Sequence, residues 1–229
     1  MASMQQQQQA LTNTKQYHKY CIIFDAFRTS KNDEYVPKKC SVFDITTGVN
    51  ISTYFVCPPY PWDQLHVMAR EVNSFISRYI IGVGWYEGNV THDQFIMALL
   101  KHSESASQIF TKGDQCVSYL TKVLGRTIYD IEPLLKEIPE VVSSKLRSDL
   151  PMMECAYTNH ERKFFTNGFC HPRYTCCQNR AFLFGNLMRY YLSSTQHVEL
   201  HKQIASKLRE RSHTTNIINR ANRPSERLI

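Results

Sequence analysis

The spacing of hydrophobic and polar positions changes character after residue 61. Before it come three short runs: Tyr20-Cys-Ile-Ile-Phe24, closed by Asp25; Lys39-Cys-Ser-Val-Phe-Asp44; and Asn50-Ile-Ser-Thr-Tyr-Phe-Val-Cys57. Their brevity and their share of β-branched and aromatic residues predict strands. Thr46-Thr-Gly-Val49 supplies turn material between the second and third. Pro58-Pro-Tyr-Pro61 ends the third, because proline has no N–H to give to a ladder. Beyond it, Leu65, Met68, Ala69, Val72, Phe75 and Ile76 recur at helical spacing. Tyr79-Ile-Ile-Gly-Val-Gly-Trp85 is short, apolar and interrupted by glycine, and reads as strand or turn. His92 to Lys101 predicts a helix, Gln108-Ile-Phe-Thr111 a strand, and Cys116 to Leu124 an amphipathic helix. Thr127-Ile-Tyr-Asp-Ile131 predicts one more strand. Three consecutive strands followed by helix–strand–helix–strand imply a mixed sheet, antiparallel first and parallel later, with helices on its faces.

The ends of the chain read differently. Gln5 to Gln9 is a low-complexity run unable to build a core, so residues 1–15 are expected to be disordered. Residues 16–150 form the α/β domain. From Cys155 to Cys177 the composition shifts to Cys, His, aromatic and basic residues, and residues 151–195, with a helix from Ala181 to Leu192, are expected to form a small metal-stabilised subdomain packed on that domain. Residues 196–229 comprise a helix from Glu199 to Arg211 and a basic tail. The 229 residues are 42% hydrophobic and 21% charged, a globular composition with enough chain for a sizeable core. No apolar run reaches membrane-spanning length, and the polar start MASMQQQQQALTNT lacks a signal-peptide core. These features predict an intracellular protein, cytoplasmic or nuclear, with no membrane partner and with its eight cysteines as thiols or metal ligands.

An aspartate closing the first strand of such a sheet resembles the ribonuclease H-like fold, and within it the DEDD 3′–5′ exonucleases. Those enzymes hold two metal ions on four carboxylates, stabilising the attacking and leaving oxygens of a phosphodiester. Their Asp-x-Glu on strand one corresponds here to Asp25-Ala26-Phe27, so the second carboxylate is replaced by Phe27. Their second motif, a strand leading into a helix that carries Asp-x-x-Phe-Leu, corresponds to Cys116-Val-Ser-Tyr119-Leu120, with Cys116 at the aspartate position. The third, His-x-x-x-x-Asp, falls near Cys176-Cys177-Gln-Asn-Arg180, again without a carboxylate. Asp25 alone carries over as a catalytic candidate; Asp44, Asp114 and Asp130 are substitutes under another register. One carboxylate cannot hold two metals, so the resemblance implies an inactive exonuclease-like scaffold. Ile-Gly-Val-Gly-Trp-Tyr-Glu-Gly, Phe-Thr-Lys-Gly before a helix, Asp130 before Pro139 and a late Cys/His cluster resemble reading frames of insect viruses and mobile elements.

That late cluster reads Cys155-x4-His160-x9-Cys170-His171-x4-Cys176-Cys177. Thiolate and imidazole are the ligands zinc prefers, and a structural site needs four. Cys155, His160, Cys170 and Cys176 form the preferred set, with His171 and Cys177 in reserve. The plain alternative is buried cysteines and surface histidines. Nucleophilic catalysis by Cys116, Cys170 or Cys177 beside a histidine is a further reading that geometry must decide.

Charge adds the last element. Lys and Arg number 27 against 20 acids, and residues 202–229 hold seven cations against two acids. Lys207, Arg209, Arg211, Arg220, Arg223 and Arg227 are the expected phosphate contacts, joined by Arg162, Lys163 and Arg173, which alternate with aromatic residues as single-strand binders do. The combined expectation is a non-enzymatic, sequence-independent binder of RNA or DNA. As a viral or mobile-element non-structural protein, it would sequester nucleic acid from host defence. Two rivals stand beside it: an active metal-dependent 3′–5′ exonuclease, and an adaptor that binds a host protein on the same scaffold.

Overall fold

The computed structural model describes residues 17–29, 35–148 and 176–193. Six strands form one mixed sheet: β1 (His18–Arg28), β2 (Tyr35–Asp44), β3 (Val49–Cys57), β4 (Val90–Thr91), β5 (Ala106–Thr111) and β6 (Tyr129–Asp130). Their spatial order is β4-β3-β2-β1-β5-β6. β1 runs antiparallel to β2 and parallel to β5, β2 is antiparallel to β3, and β5 is parallel to β6. The pairing changes from antiparallel to parallel at β1, the strand that carries Asp25, and again at β3, where the short β4 pairs parallel.

Alternation along β1 divides the core. Cys21 and Ile23 point to one face, where they meet Phe43, Phe110, Ile131 and the helix α6 (Cys177–Ser193). Tyr20, Ile22 and Phe24 point to the other. There the helices α2 (His92–Ser105) and α3 (Asp114–Leu124) bring Phe95, Leu99 and Leu120 to Val42, Val56 and Ile109. Because both faces are covered, the middle of β1, Tyr20 to Phe24, is buried throughout and reads as one apolar run. Gly185 lets α6 lie directly on the sheet, since any Cβ there would strike the Phe43 ring.

Local chemistry sets the element ends. Thr91 caps α2: its hydroxyl accepts from Gln94 N, and the Gln94 side chain accepts from Thr91 N. α3 stops at Gly125, which adopts the left-handed conformation with φ 63°. Two short helices, α4 (Glu132–Leu135) and α5 (Glu140–Ser148), follow β6.

One segment departs from the sequence reading. The helix α1 (Val67–Phe75) continues as a π-helical stretch over Ile76–Ile81, so no strand forms at Tyr79 and the chain turns only at Gly82, φ 69°. Leu65, Ala69, Ile81, Val83 and Trp85 are buried in a third apolar cluster with Phe27 and Phe55. Packing of Ala69 and Ile81 into this cluster keeps residues 67–81 helical despite the β-prone composition of Tyr79–Ile81. Of the apolar residues read from the sequence at helical spacing, Met68, Val72 and Phe75 are exposed.

A second fastening holds that loop. Lys38 on β2 is fully buried, and its Nζ donates to the carbonyls of Val56 at 3.0 Å and Trp85 at 2.8 Å and to that of Glu87. Burial, opposed by neighbouring Cys57 and Glu87, lowers the ammonium to about 8. Among the described residues, no helix is long and apolar enough to cross a membrane.

Candidate functional site: an ion pair beside an aromatic cleft

Asp25 sits near the C-terminal end of β1, at the irregularity between Asp25 and Ala26 in the pairing with β2. Its carboxylate accepts from the Arg180 guanidinium of α6. The Asp25 side chain is 12% exposed and that of Arg180 29%. Arg180 lies in the first turn of α6, where the helix dipole disfavours a cation. The Asp25 carboxylate offsets that cost, opposing both the guanidinium and the helix end. Burial raises the Asp25 carboxyl above its usual range, and the Arg180 charge and hydrogen bond pull against it. Burial alone would lower Arg180; Asp25 outweighs it and holds the guanidinium raised, hence charged. Lys39, opposite Asp25 on β2, adds a second positive charge while donating to Ile81 O at 2.6 Å.

The positions where the resemblance places further carboxylates are occupied by groups of another kind. Phe27 is fully buried and stacks on Trp85 with centroids 5.2 Å apart. Burial raises the Cys116 thiol to about 11, so it is a neutral thiol at physiological pH. The substitute aspartates are engaged elsewhere or exposed. Asp44 accepts from Thr46 N at 2.8 Å and Thr47 Oγ1 at 2.9 Å and pairs with His18 Nδ1 at 2.7 Å, bracing the β2–β3 turn. It faces Tyr20, five residues along β1 from Asp25 and therefore roughly 17 Å away. Asp130 accepts from Gly113 N at 3.0 Å and Glu132 N at 2.9 Å, fixing the loop before α3 and the start of α4. Asp114 is exposed in the first turn of α3. Among the described residues, no group of three or more His, Cys, Asp or Glu is placed to hold a metal ion. Among the described residues, the donor set around Asp25 does not make up a two-metal centre.

A cleft of about 630 Å³ opens near the end of β1. Thr29 lines it from just after β1, Tyr35 and Val36 from β2, Pro59 and Tyr60 from the chain after β3, and His92 from the start of α2. Gln115, Ser118, Tyr119 and Lys122 line it from one face of α3, at helical spacing. The Tyr119 ring packs on Phe24, the residue before Asp25, at 5.4 Å. Its hydroxyl is buried without a hydrogen-bond partner among the described residues, and burial raises its pKa. Three tyrosines, a histidine and a lysine around one concavity offer aromatic faces for stacking and donors for an anion.

Of the metal ligands expected from the sequence, only Cys176 lies within the described residues; Cys155, His160 and Cys170 lie outside them. Cys176 packs partly against the Phe27 and Trp85 cluster. Cys177 is fully buried, and its hydrogen bond to Cys176, together with burial, raises its thiol well above the usual value. For Cys177 this environment matches the plain alternative of a small buried side chain. High thiol pKa values at Cys116 and Cys177 also count against a nucleophilic role for either. Lys207, Arg209, Arg211, Arg220, Arg223, Arg227, Arg162, Lys163 and Arg173 all lie outside the described residues. The sequence reading gave no role to Arg180, although the residue stands where the third carboxylate motif was sought. A cation at that position was the available signal. The three cleft-lining tyrosines come from three separated stretches of chain and carry no sequence signature.

No protein-family model matches the chain, and no curated protein matches it. Among solved structures it is similar to a 3′-exonuclease described in 3′-end specific recognition of a histone mRNA stem-loop. That likeness has 14% identity, covers 78% of this chain and 84% of that one, and has a TM-score of 0.41. It is also similar to a full-length 3′-exonuclease, with 14% identity, 77% and 82% coverage and a TM-score of 0.41. Likeness at this level assigns neither an activity nor a ligand to the chain.

Proposed function

We propose that this chain is a catalytically inactive, exonuclease-like scaffold of the ribonuclease H-like type that binds nucleic acid without cleaving it. The observation that carries the reading is the Asp25–Arg180 ion pair. A two-metal centre requires Asp25 as a free ligand beside other carboxylates. Here a guanidinium of the same chain neutralises it, and Phe27 and Cys116 stand at the neighbouring motif positions. The sheet, with its change from antiparallel to parallel pairing at the Asp25 strand, supports the fold assignment.

Binding is supported by the cleft. A base stacks on Tyr35, Tyr60 or Tyr119, and Lys122 or His92 meets the adjoining phosphate. The basic residues of the C-terminal segment extend the contact along the strand without reading sequence. A non-structural role in a virus or mobile element, sequestering RNA or DNA, completes the proposal.

Fluorescence anisotropy with labelled single-stranded RNA and DNA oligonucleotides tests binding. The association constant should fall steeply with salt, with a log–log slope of roughly −0.7 per phosphate contact. Tyr60→Ala and Lys122→Ala should each weaken binding, and only Lys122→Ala should flatten the slope. No binding at low salt would overturn the proposal.

A further inference from the structure

Helix α1 and its continuation carry more apolar side chain than the core uses. Leu65, Ala69 and Ile81 face inward, and Ile76 packs partly against the same cluster. Val67, Met68, Val72, Phe75, Tyr79 and Ile80 face outward and remain between 39% and 61% exposed. Met68, Val72, Phe75 and Tyr79 follow one another at i, i+4, i+7 and i+11, so they form a single stripe. The Phe75 and Tyr79 rings touch, 5.0 Å between centroids. Apolar side chains exposed singly need no explanation, but a continuous stripe of this kind marks an interaction surface.

The charges within the stripe indicate what covers it. Exposed Glu71 lies one turn before Phe75, and exposed Arg78, its guanidinium over the Tyr79 ring at 5.5 Å, lies one turn after it. An acid and a base placed almost evenly about a central aromatic residue are complementary to themselves. Turning a second copy antiparallel about a two-fold axis near Phe75 sets Glu71 of each copy against Arg78 of the other, twice. A lipid surface rich in anionic headgroups is met best by cations alone, and Glu71 inside the stripe opposes it. A two-fold interface uses the same patch on both copies, which is the arrangement this patch satisfies.

We propose that the outward face of residues 67–80 forms a two-fold symmetric interface between two copies of this chain, with Phe75 at its centre and Glu71 paired to Arg78 of the second copy. The proposal stands independently of the nucleic-acid reading, because it uses none of the cleft residues.

Analytical ultracentrifugation of the full chain across nanomolar to tens-of-micromolar concentrations tests it. The wild-type protein should show a concentration-dependent monomer–dimer equilibrium. Phe75→Ser should weaken it about a hundredfold, since the change acts in both copies at the interface centre. Glu71→Arg and Arg78→Glu should each weaken the dimer, and the double reversal should restore it. All three positions are exposed, and circular-dichroism melting verifies that each variant is folded. A wild-type protein that stays monomeric throughout, or a dimer indifferent to Phe75→Ser and to the single reversals, overturns the proposal. So does a monomer that uses the stripe to bind phosphatidylcholine–phosphatidylglycerol vesicles.

Discussion

Replacing Arg180 by Met should destabilise the protein through a charge left behind, not through lost packing. Methionine keeps most of the aliphatic stem but removes the guanidinium that the Asp25 carboxylate accepts from. The Asp25 side chain is 12% exposed, so water replaces that partner poorly. Breaking a buried pair by removing one partner costs about 3–5 kcal/mol. The 29% exposure of Arg180 points to the lower end, about 3 kcal/mol. Asp25→Asn alone should cost less, about 1–2 kcal/mol, because the guanidinium it orphans reaches solvent. The double variant removes both charges and should be more stable than Arg180→Met alone, with a coupling of about 1–3 kcal/mol. Urea unfolding followed by the fluorescence of buried Trp85 supplies the free energies, at an unchanged denaturant slope. The pH dependence carries a sign. Burial raises the folded Asp25 pKa above its unfolded value, so the folded state holds the proton more tightly. The associated stability is present below the unfolded pKa and is lost as pH rises through the folded one. With Arg180 gone that shift grows, so the deficit of Arg180→Met should shrink on acidification. An Arg180→Met protein as stable as wild type, or a double variant no better than the single, refutes the reasoning.

Lys38→Met removes three donations to buried carbonyls and should cost about 2 kcal/mol or more by thermal or urea melting. With its folded pKa about 8, Lys38 contributes stability above the unfolded lysine value that is lost as pH falls through 8; wild-type stability should therefore rise between those values, and the rise should vanish in Lys38→Met. Gly185→Ala drives a methyl into the Phe43 ring and should cost about 1–3 kcal/mol, measured as a lowered melting temperature. The cysteine–histidine spacing predicts stoichiometric zinc by elemental analysis after gel filtration, reduced in Cys155→Ser and His160→Ala; zinc-free folded protein would remove that reading.

The sheet was legible in the sequence because β1, β2 and β3 are apolar runs bounded by an aspartate, a Thr-Gly turn and a proline cluster. Each boundary reflects backbone chemistry that acts locally. β6 falls within the stretch Thr127–Ile131 read as a strand, whereas the two-residue β4 exists through pairing with β3 and so depends on a distant partner. Helix α1 shows why periodicity misleads. Leu65, Ala69 and Ile76 repeat at helical spacing on the inner face, and Met68, Val72 and Phe75 repeat at the same spacing on the outer one. Hydrophobicity does not distinguish a face made for the core from one made for something else. At the site, the apolar Phe27 and the thiol Cys116 could be read directly from the sequence at the positions where the resemblance places carboxylates. The pairing of Asp25 with Arg180 spans 155 positions and emerges only when α6 lies across β1.

We infer from the Asp25–Arg180 pair that Asp25 is neutralised within its own chain and serves no two-metal reaction. Incubating the full-length protein with end-labelled single- and double-stranded RNA and DNA in Mg²⁺ or Mn²⁺ tests it most directly. The account predicts full-length oligonucleotide throughout, for wild type and Asp25→Ala alike. Progressive shortening from the 3′ end by wild type, abolished in Asp25→Ala, would contradict it.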